Sequence, residues 1–390
     1  MNGAPVRIAM VAGEASGDLL GSRVIAALKA RYPHAEFYGI GGPKMIGKGF
    51  DSWFPQERLA VHGLVEVLKH LRGLMAIRRE LVRRIAASRP HLFLGIDSPD
   101  FNLGLAKRLR KRGVTTAHLV SPTVWAWRKG RIKTIREAVS HMLVLLPFEE
   151  AIYQDAGVPV SFVGHPLADE IPDTIDRGAL LEYLRLPAKS TVITLLPGSR
   201  QQEVMNHAEP FIGAAKLIRQ RLGNVQFLVP CATRETYELF EQALYQHGEH
   251  DLPVRMMFGH AQEALAASDL AIAASGTVTL EAALLRCPMI IAYRMSPMSF
   301  AIAKRIIRVK HVGLPNILCD DRVVPEFLQD DVTPENLAQA ALNLYEDKRV
   351  LLAIRERFAA VHAVMKRGAA ERSAEALAPL IERSLAGGAA

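Results

Sequence analysis

Short apolar runs alternate with longer amphipathic segments along the whole chain. Eight of these runs have the length of buried strands: residues 6–11, 92–96, 116–120, 142–146, 192–196, 225–229, 271–273 and 289–292. Short apolar runs that alternate with helical segments are typical of parallel sheets in α/β proteins. The pattern therefore predicts an α/β fold built from doubly wound parallel sheets.

A Pro- and acid-rich stretch without clear periodicity, residues 167–178, separates the first four runs from the last four. It predicts a linker between two Rossmann-like domains, residues 1–168 and 169–347. The Ala-rich segment 348–390 is predicted to be helical and to pack back on the first domain. Ligands of such folds bind at clefts, so we expect the site between the two domains and hinge closure over the substrate.

Composition narrows the class of protein further. The 390 residues are 49% hydrophobic, enough for two cores in a globular protein. The cysteines Cys231, Cys287 and Cys319 are too far apart for a metal knuckle or a redox pair, which favours a reducing cytoplasm. We expect neither a signal peptide nor a spanning helix. The net charge of +8 is a modest excess without any nucleic-acid-reading module, so no nucleic-acid partner is predicted.

Residues 64–85 combine helical apolar spacing with many cations. One interpretation is a helix that faces the core and exposes a basic side. The other is a helix lying on an anionic membrane surface, with Leu74, Ile77, Arg78 and Arg79 in contact with lipid.

The segment 274–281 follows the apolar run 269–273 and opens a helix with small residues. Ser275, Gly276 and Thr277 therefore fall at the carboxyl end of a predicted strand, where free helix N–H groups bind phosphates. A plain N-cap is the alternative. Glu281 lies one helical turn after Thr277, where it is either a partner for ribose hydroxyls or an exposed ion-pairing residue.

Two further segments of the second domain carry candidate ligand contacts. Gly198, Ser199 and Arg200 follow the run 192–196, and the guanidinium can approach a phosphate with two N–H groups. Asn316 ends a rigid turn at residues 313–316 and offers an amide to a ligand.

In the first domain, Asp97 directly follows a predicted strand and faces the cleft as a candidate general base; a helix cap is the alternative. The turn 11–18 has neither the GxGxxG nor the P-loop pattern. It either lines the substrate site or simply caps a helix, and its polar candidates are Glu14, Ser16 and Asp18.

Cations and aromatic residues suited to a sugar or a phosphate follow another predicted strand. These candidates are Trp127, Arg128 and Lys129; the alternative is that Trp125 lies in the core and Arg128 is merely solvated. His165 closes the first domain, where it either reaches the cleft or has a structural role. There is no Asp-x-Asp pair, and the 13 histidines form no zinc-ligand motif. We therefore expect no metal and no other cofactor, with charge neutralised by protein groups.

Several motifs together resemble lipid-A-disaccharide synthases over nearly the full length. They are Gly13-Glu14-Ala15-Ser16-Gly17-Asp18, Gly95-Ile96-Asp97-Ser98-Pro99-Asp100-Phe101-Asn102, Ser121-Pro122 with Trp125-Ala126-Trp127-Arg128, Leu196-Pro197-Gly198-Ser199-Arg200, Ser275-Gly276-Thr277 with Glu281, and Leu314-Pro315-Asn316.

The resemblance implies a GT-B fold and transfer of 2,3-diacylglucosamine from its UDP conjugate to 2,3-diacylglucosamine 1-phosphate, with inversion to a β-1,6 linkage. It implies that Asp97 is the base, that Arg200 and Asn316 contact the donor, and that Glu281 binds the ribose. It also implies peripheral attachment to the cytoplasmic face of the inner membrane and self-association as a homodimer. The alternatives are a UDP-sugar 2-epimerase and another GT-B lipid glycosyltransferase.

Overall fold

The computed structural model describes residues 5–59, 64–126, 130–248, 251–306 and 310–387, and of residues 64–71 and 302–306 it describes the backbone alone. The chain divides into two compact units, residues 1–169 with 365–390, and residues 170–364. The predicted segment 348–390 is therefore split, because its first part belongs to the second unit and only residues from 365 onward belong to the first.

The first unit contains a seven-stranded parallel sheet in the order β3-β2-β1-β4-β5-β6-β7. Its strands are β1 Arg7–Ala12, β2 Glu36–Ile40, β3 Phe50–Ser52, β4 Leu92–Ile96, β5 Thr116–Leu119, β6 His141–Val144 and β7 Val160–Phe162. Its helices are α1 Ala15–Arg31, α2 Pro43–Ile46, α3 Leu64–Ser88, α4 Pro99–Arg110, α5 Arg131–Ala138, α6 Pro147–Asp155 and α7 Pro166–Glu170, and a 3-10 turn spans Gln56–Arg58. Ala12 pairs with Ile96, and Ile96 with Leu119, so the ends of β1, β4 and β5 meet at one edge.

The second unit contains a six-stranded sheet in the order β10-β9-β8-β11-β12-β13. Its strands are β8 Thr191–Leu196, β9 Val225–Cys231, β10 Val254–Phe258, β11 Leu270–Ala274, β12 Met289–Tyr293 and β13 Glu326–Leu328. Its helices are α8 Arg177–Tyr183, α9 Gln201–Leu222, α10 Arg234–Gln246, α11 Ala261–Ala267, α12 Thr277–Leu284, α13 Pro297–Ile306, α14 Leu314–Cys319, α15 Pro334–Glu346 and α16 Lys348–Met365, with a 3-10 turn at Gln329–Asp331.

The last helix, α17 Ala369–Gly387, packs on α1 in the first unit. Leu377 and Ile381 of α17 join Val24 of α1 in one fully buried core cluster. A second cluster lies beneath α3 and α4, where Leu81 and Leu105 are fully buried. Helices thus cover both faces of a parallel sheet, and the predicted fold class of doubly wound α/β domains is confirmed.

The membrane interpretation of α3 does not fit three of its four residues, which are buried or half-buried. Ile77 is 9% exposed and belongs to the core beneath the helix, with Leu74 packed partly buried beside it. The half-buried Arg78 lies over the Phe101 ring and donates to the carbonyl oxygen of Asp100. Only Arg79 is on the exposed side. From residue 72 onward, α3 is a core-facing helix with a basic outer face. No helix in the described ranges has the length and apolar character needed to cross a membrane.

Candidate active site

Asp97 lies at the shared edge of β1, β4 and β5, where the register of β1 and β4 brings it beside Gly13. Its Oδ1 accepts the N–H of Gly13 at 2.8 Å, and its Oδ2 accepts the N–H of Glu14 at 3.2 Å. The residue is 9% exposed. Its carboxylate is thus held by two backbone donors and retains a small accessible surface.

Two glycines make room for this carboxylate. A Cβ atom on Gly17 would lie 1.8 Å from Oδ2 of Asp97, and one on Gly13 would lie 2.0 Å from Oγ of Ser98. A side chain at either position would push the Asp97 carboxylate or the Ser98 hydroxyl away, because real Cβ contacts are essentially never this short. The glycines of the 13–18 motif therefore serve close packing of Asp97 against the first turn of α1.

The backbone at this edge is strained. Asp97 and Ser98 have φ angles of 53° and 36°, and the β-branched Val120, at the end of β5, has a φ of 77°. A β-branched residue in the left-handed region is an outlier. Such residues persist where surrounding contacts hold them, and they cluster at functional sites.

The pKa of Asp97 is raised to about 7, chiefly by burial and in smaller part by the nearby Glu14 carboxylate. The N–H groups of Gly13 and Glu14 and the Ser98 hydroxyl act in the opposite direction, because they stabilise the charged form. A carboxyl group that titrates near neutrality suits proton abstraction by a general base.

The other candidates of the first unit differ in their surroundings. Asp18 is 3% exposed and accepts the N–H groups of Gly42, Lys44 and Met45, so it is a structural cap and the prediction that it lines the site is wrong. Ser16 is exposed and Glu14 half-buried beside Asp97. Trp127, Arg128 and Lys129 lie outside the described residues.

His165 has a structural position at the start of α7. The ring Nδ1 of His165 accepts the backbone N–H of Leu167 at 3.2 Å, and the backbone N–H of His165 donates to the carbonyl oxygen of Met365. Burial lowers the pKa of its ring to about 4, so the ring is neutral at physiological pH. The structural alternative for His165 is the one that these contacts favour.

In the second unit, the carboxyl ends of β8, β9, β11 and β12 surround a cavity of about 490 Å³. Seven of the eight predicted donor contacts line it: Gly198, Ser199, Arg200, Ser275, Gly276, Thr277 and Glu281. The parallel strands explain this convergence, because segments far apart in sequence end at the same edge.

The helix α12 begins at this cavity without a side-chain cap on its first N–H groups. The hydroxyl of Ser275 donates to the carbonyl oxygen of Val312 at 3.1 Å and does not accept a hydrogen bond from the first turn of α12. Gly276 has no heavy atom within 4 Å of the point where a Cβ would lie. The open N-terminus of α12 is therefore suited to a phosphate rather than to the N-cap alternative.

Arg200 also lines this cavity, and its side chain is 80% exposed. Glu203, which the sequence analysis did not single out, accepts the N–H of Ser199 at 3.0 Å and pairs with the Arg200 guanidinium at 3.0 Å. Glu203 also accepts the backbone N–H of Arg200 at 3.3 Å, and a Glu in the first turn of a helix is the half of the capping-box pattern that could have identified it.

Glu281 lines the cavity one turn into α12. Gln262, another residue that the sequence analysis missed, donates from Nε2 to Oε1 of Glu281 at 2.9 Å. Burial raises the pKa of Glu281, and Glu263 and Glu170 add to this effect. The carboxyl group is thus oriented and remains able to accept hydrogen bonds from a ligand.

The predicted donor contact Asn316 is not on the cavity, and its side chain is fully buried. Its Nδ2 donates to the Val324 carbonyl and to Glu326, both at 2.9 Å, and its Oδ1 accepts the Val324 N–H at 3.0 Å. With its amide satisfied inside the protein, Asn316 supports the segment around Val312, which in turn holds Ser275.

Among the described residues, no group of three or more His, Cys, Asp or Glu side chains is arranged to hold a metal ion.

Sequence comparisons agree over nearly the full chain. The family model described as lipid-A-disaccharide synthetase matches residues 8–378. The lipid-A-disaccharide synthase of Aromatoleum aromaticum is 53% identical over 378 residues, covering 97% of this chain and 97% of the relative. That of Dechloromonas aromatica is 52% identical over 376 residues, covering 96% and 98%.

Solved structures with the same fold are much more distant in sequence. The UDP-GlcNAc 2-epimerase from Neisseria meningitidis, bound to UDP-GlcNAc, matches with a TM-score of 0.65 and 12% identity over 96% of this chain and 100% of that chain. MurG of Acinetobacter baumannii matches with a TM-score of 0.56 and 14% identity, covering 97% and 100%. At these identities the likeness concerns the fold alone, which is GT-B.

Proposed function

Since the chain belongs to the lipid-A-disaccharide synthase family, we propose that Asp97 and the second-unit cavity carry out its glycosyl transfer by a single inverting displacement. The chain is a glycosyltransferase of lipid A biosynthesis. The proposed donor is UDP-2,3-diacylglucosamine, and the proposed acceptor is 2,3-diacylglucosamine 1-phosphate.

In the proposed step, Asp97 takes the proton of the acceptor's 6-hydroxyl group as that oxygen forms a bond to the anomeric carbon. The bond from the anomeric carbon to the diphosphate oxygen breaks, and UDP leaves with the electron pair. One displacement inverts the configuration and gives the β-1,6 linkage. The observation that carries this proposal is the Asp97 carboxyl group, held by two N–H donors with a pKa of about 7.

On the donor side, we assign the diphosphate to Arg200 and the N-terminus of α12, and the ribose hydroxyls to Glu281. A helix end stabilises an anion by about 0.3–2 kcal/mol, which is too little for a departing diphosphate. The full charge of Arg200 is therefore needed beside it. With these groups at the cavity, the proposed reaction uses no metal ion.

A UDP-sugar 2-epimerase is the alternative from another reaction class. Distant fold neighbours include such epimerases, but a likeness at 12–13% identity concerns the fold only. Relatives at 50–53% identity over nearly the full chain are lipid-A-disaccharide synthases, which favours the transferase.

The direct test is incubation of the enzyme with both lipid substrates in the presence of EDTA. We expect release of UDP and formation of the β-1,6-linked disaccharide 1-phosphate at the rate measured without the chelator. Nuclear magnetic resonance of the product reports the anomeric configuration. An α linkage, or loss of activity that magnesium restores, would contradict the mechanism, and sugar interconversion with donor alone would indicate the epimerase.

We also propose that the basic outer face of α3 binds the anionic inner-membrane surface. Arg72, Arg79 and Arg83 are exposed there, so their replacement by Glu leaves the core intact. Each cation near an anionic bilayer contributes about 1 kcal/mol, so the triple variant is expected to bind phosphatidylglycerol vesicles at least about 100-fold more weakly in a sedimentation assay.

A triple variant of Lys189, Arg349 and Arg372 to Glu is the matched control, because it makes the same change of net charge at exposed positions elsewhere. It is expected to retain most of its vesicle binding. Equal loss in both variants would mean that overall charge, rather than α3, determines attachment.

A further inference from the structure

Asn102 lies beneath Asp97 on α4 and is fully buried. Its Nδ2 lies 3.1 Å from the carbonyl oxygen of Val11, 3.1 Å from that of Ile96 and 3.0 Å from that of Asp97. Val11 belongs to β1, which leads into the Gly13 and Glu14 donors. Ile96 and Asp97 belong to the end of β4. One amide thus contacts both segments that meet at the carboxylate.

We propose that Asn102 is a positioning residue for Asp97, which holds the ends of β1 and β4 together so that the Gly13 and Glu14 N–H groups both reach the carboxylate. The inference rests on the proposed role of Asp97 as the base. It assigns no contact between Asn102 and substrate, because the side chain is fully buried.

Asn102 also stabilises the strained backbone at Asp97 and Ser98. Asp97 and Ser98 have positive φ angles, an arrangement that costs free energy for residues other than glycine. The Asn102 side chain donates to the Asp97 carbonyl, and the Asn102 backbone N–H donates to the Ser98 carbonyl at 3.0 Å. Both bonds fix the peptide groups of the strained pair.

Gly95 provides the space that Asn102 occupies. A Cβ atom at position 95 would lie 3.0 Å from Cβ of Asn102 and 2.7 Å from Nδ1 of His118. His118 is fully buried, and burial lowers the pKa of its ring to about 3, so this second neighbour of Gly95 is neutral. Asn102 and the uncharged ring of His118 thus both lie against Gly95, where a side chain would displace them.

Loss of Asn102 has a predictable direction at Asp97. Burial and the Glu14 carboxylate raise the pKa of this carboxyl group, and the Gly13 N–H, the Glu14 N–H and the Ser98 hydroxyl lower it. If the β1 and β4 ends separate, the two N–H bonds lengthen and the charged form loses stabilisation. The pKa of Asp97 then rises, and less of the base is deprotonated at neutral pH.

The test is the pH dependence of kcat for Asn102→Leu, in which a side chain of similar size lacks the amide. The acid limb is the rise of kcat with pH as Asp97 loses its proton, and we expect its midpoint to move upward by about one pH unit. Weakening of one hydrogen bond to a charged group produces a shift of this size. The KM for the donor should stay within about twofold of the wild-type value. Thr116→Val is the matched control. It removes a buried side-chain bond, to the Ala138 carbonyl, at the other end of β5. It should lower stability and leave the acid limb in place.

An acid limb in Asn102→Leu that coincides with that of the wild type would overturn the inference, while Asp97→Asn measured in parallel tests the base separately. If Asp97→Asn loses the limb and Asn102→Leu keeps it, only the positioning role fails. If Asp97→Asn keeps the limb, the assignment of the base fails. Should the Leu variant not fold, Asn102→Ser, whose short hydroxyl cannot span three carbonyls, carries the same expectation.

Discussion

Replacement of Asp97 by Asn is expected to lower kcat by about 10²–10⁴, the usual contribution of a general base. The amide is nearly isosteric with the carboxyl group but cannot accept a proton from the acceptor's hydroxyl. Donor binding should be unchanged, because the residues assigned to UDP lie in the second unit. Steady-state turnover and calorimetric titration with UDP measure the two quantities separately.

The pH profile gives the same prediction a second readout. Burial raises the pKa of Asp97 to about 7, so the group is mostly protonated, and inactive as a base, below that pH. Wild-type kcat should therefore rise as the pH increases through about 7. This limb should vanish in Asp97→Asn, because the remaining activity no longer depends on that proton.

Asp100→Asn is the matched control for Asp97→Asn. Asp100 is three residues further along the chain, its side chain is 80% exposed, and it pairs with Arg131. Near-normal turnover is expected, since exposed ion pairs contribute little. If Asp97→Asn turned over at the wild-type rate while Asp100→Asn did not, the base would have to be reassigned to Asp100.

The strands in the interior of each sheet were predictable from the sequence. All eight predicted runs became strands, because residues buried on both faces of a parallel sheet must be continuously apolar. The strands without a prediction were β2, β3, β7, β10 and β13, and four of these lie at the sheet edges. β3 and β10, for example, carry Asp51 and Arg255, which weaken the apolar pattern.

Periodicity located the faces of α3 but not what covers them. The same apolar stripe fits a core or a lipid surface, and only tertiary contacts distinguish the two. Ile77 packs in the core, and Arg78 is half-buried against Phe101, where its apolar stem adds to the packing. The membrane prediction thus survives only for the exposed cations.

Strand ends identified most of the donor cavity, because parallel topology brings them to one edge. The direction of individual loop side chains was not predictable in the same way. Asp18 and Asn316 each follow a glycine or a proline in the first turn of a helix, as ligand contacts often do, yet both are buried and hydrogen-bonded inside the protein. Asp18 accepts from backbone groups more than 20 residues away in the sequence. Asn316 bonds to Val324 across a turn whose geometry no local sequence pattern specifies.

Replacement of Arg200 by Met is expected to lower kcat by about 10²–10³, the cost of removing one donor that stabilises charge developing in a transition state. Of the described residues that line the cavity, only Arg200 is an Arg or Lys. Methionine keeps an unbranched chain without the charge. Turnover at saturating donor and acceptor measures the effect.

Arg234→Met is the matched control, because Arg234 also opens a helix after a strand of the second sheet and pairs with a nearby glutamate, Glu238, but does not line the cavity. It should retain turnover. Equal losses in both variants, or an unaffected Arg200→Met, would move the diphosphate away from Arg200.

Glu203 allows the electrostatic reason for the Arg200 effect to be separated from a steric one. The Arg200→Met substitution has two effects. It removes the charge that neutralises the transition state, and it leaves the Glu203 carboxylate without its ion pair, so that this carboxylate repels the incoming diphosphate. Glu203→Gln in the same chain removes that repulsion while its amide oxygen still accepts the Ser199 N–H. The double variant should therefore bind UDP more tightly than Arg200→Met. Its kcat should exceed that of Arg200→Met by no more than about 10-fold, because the guanidinium that stabilises the transition state is still missing. Full recovery of kcat in the double variant would mean that Arg200 serves only to neutralise Glu203.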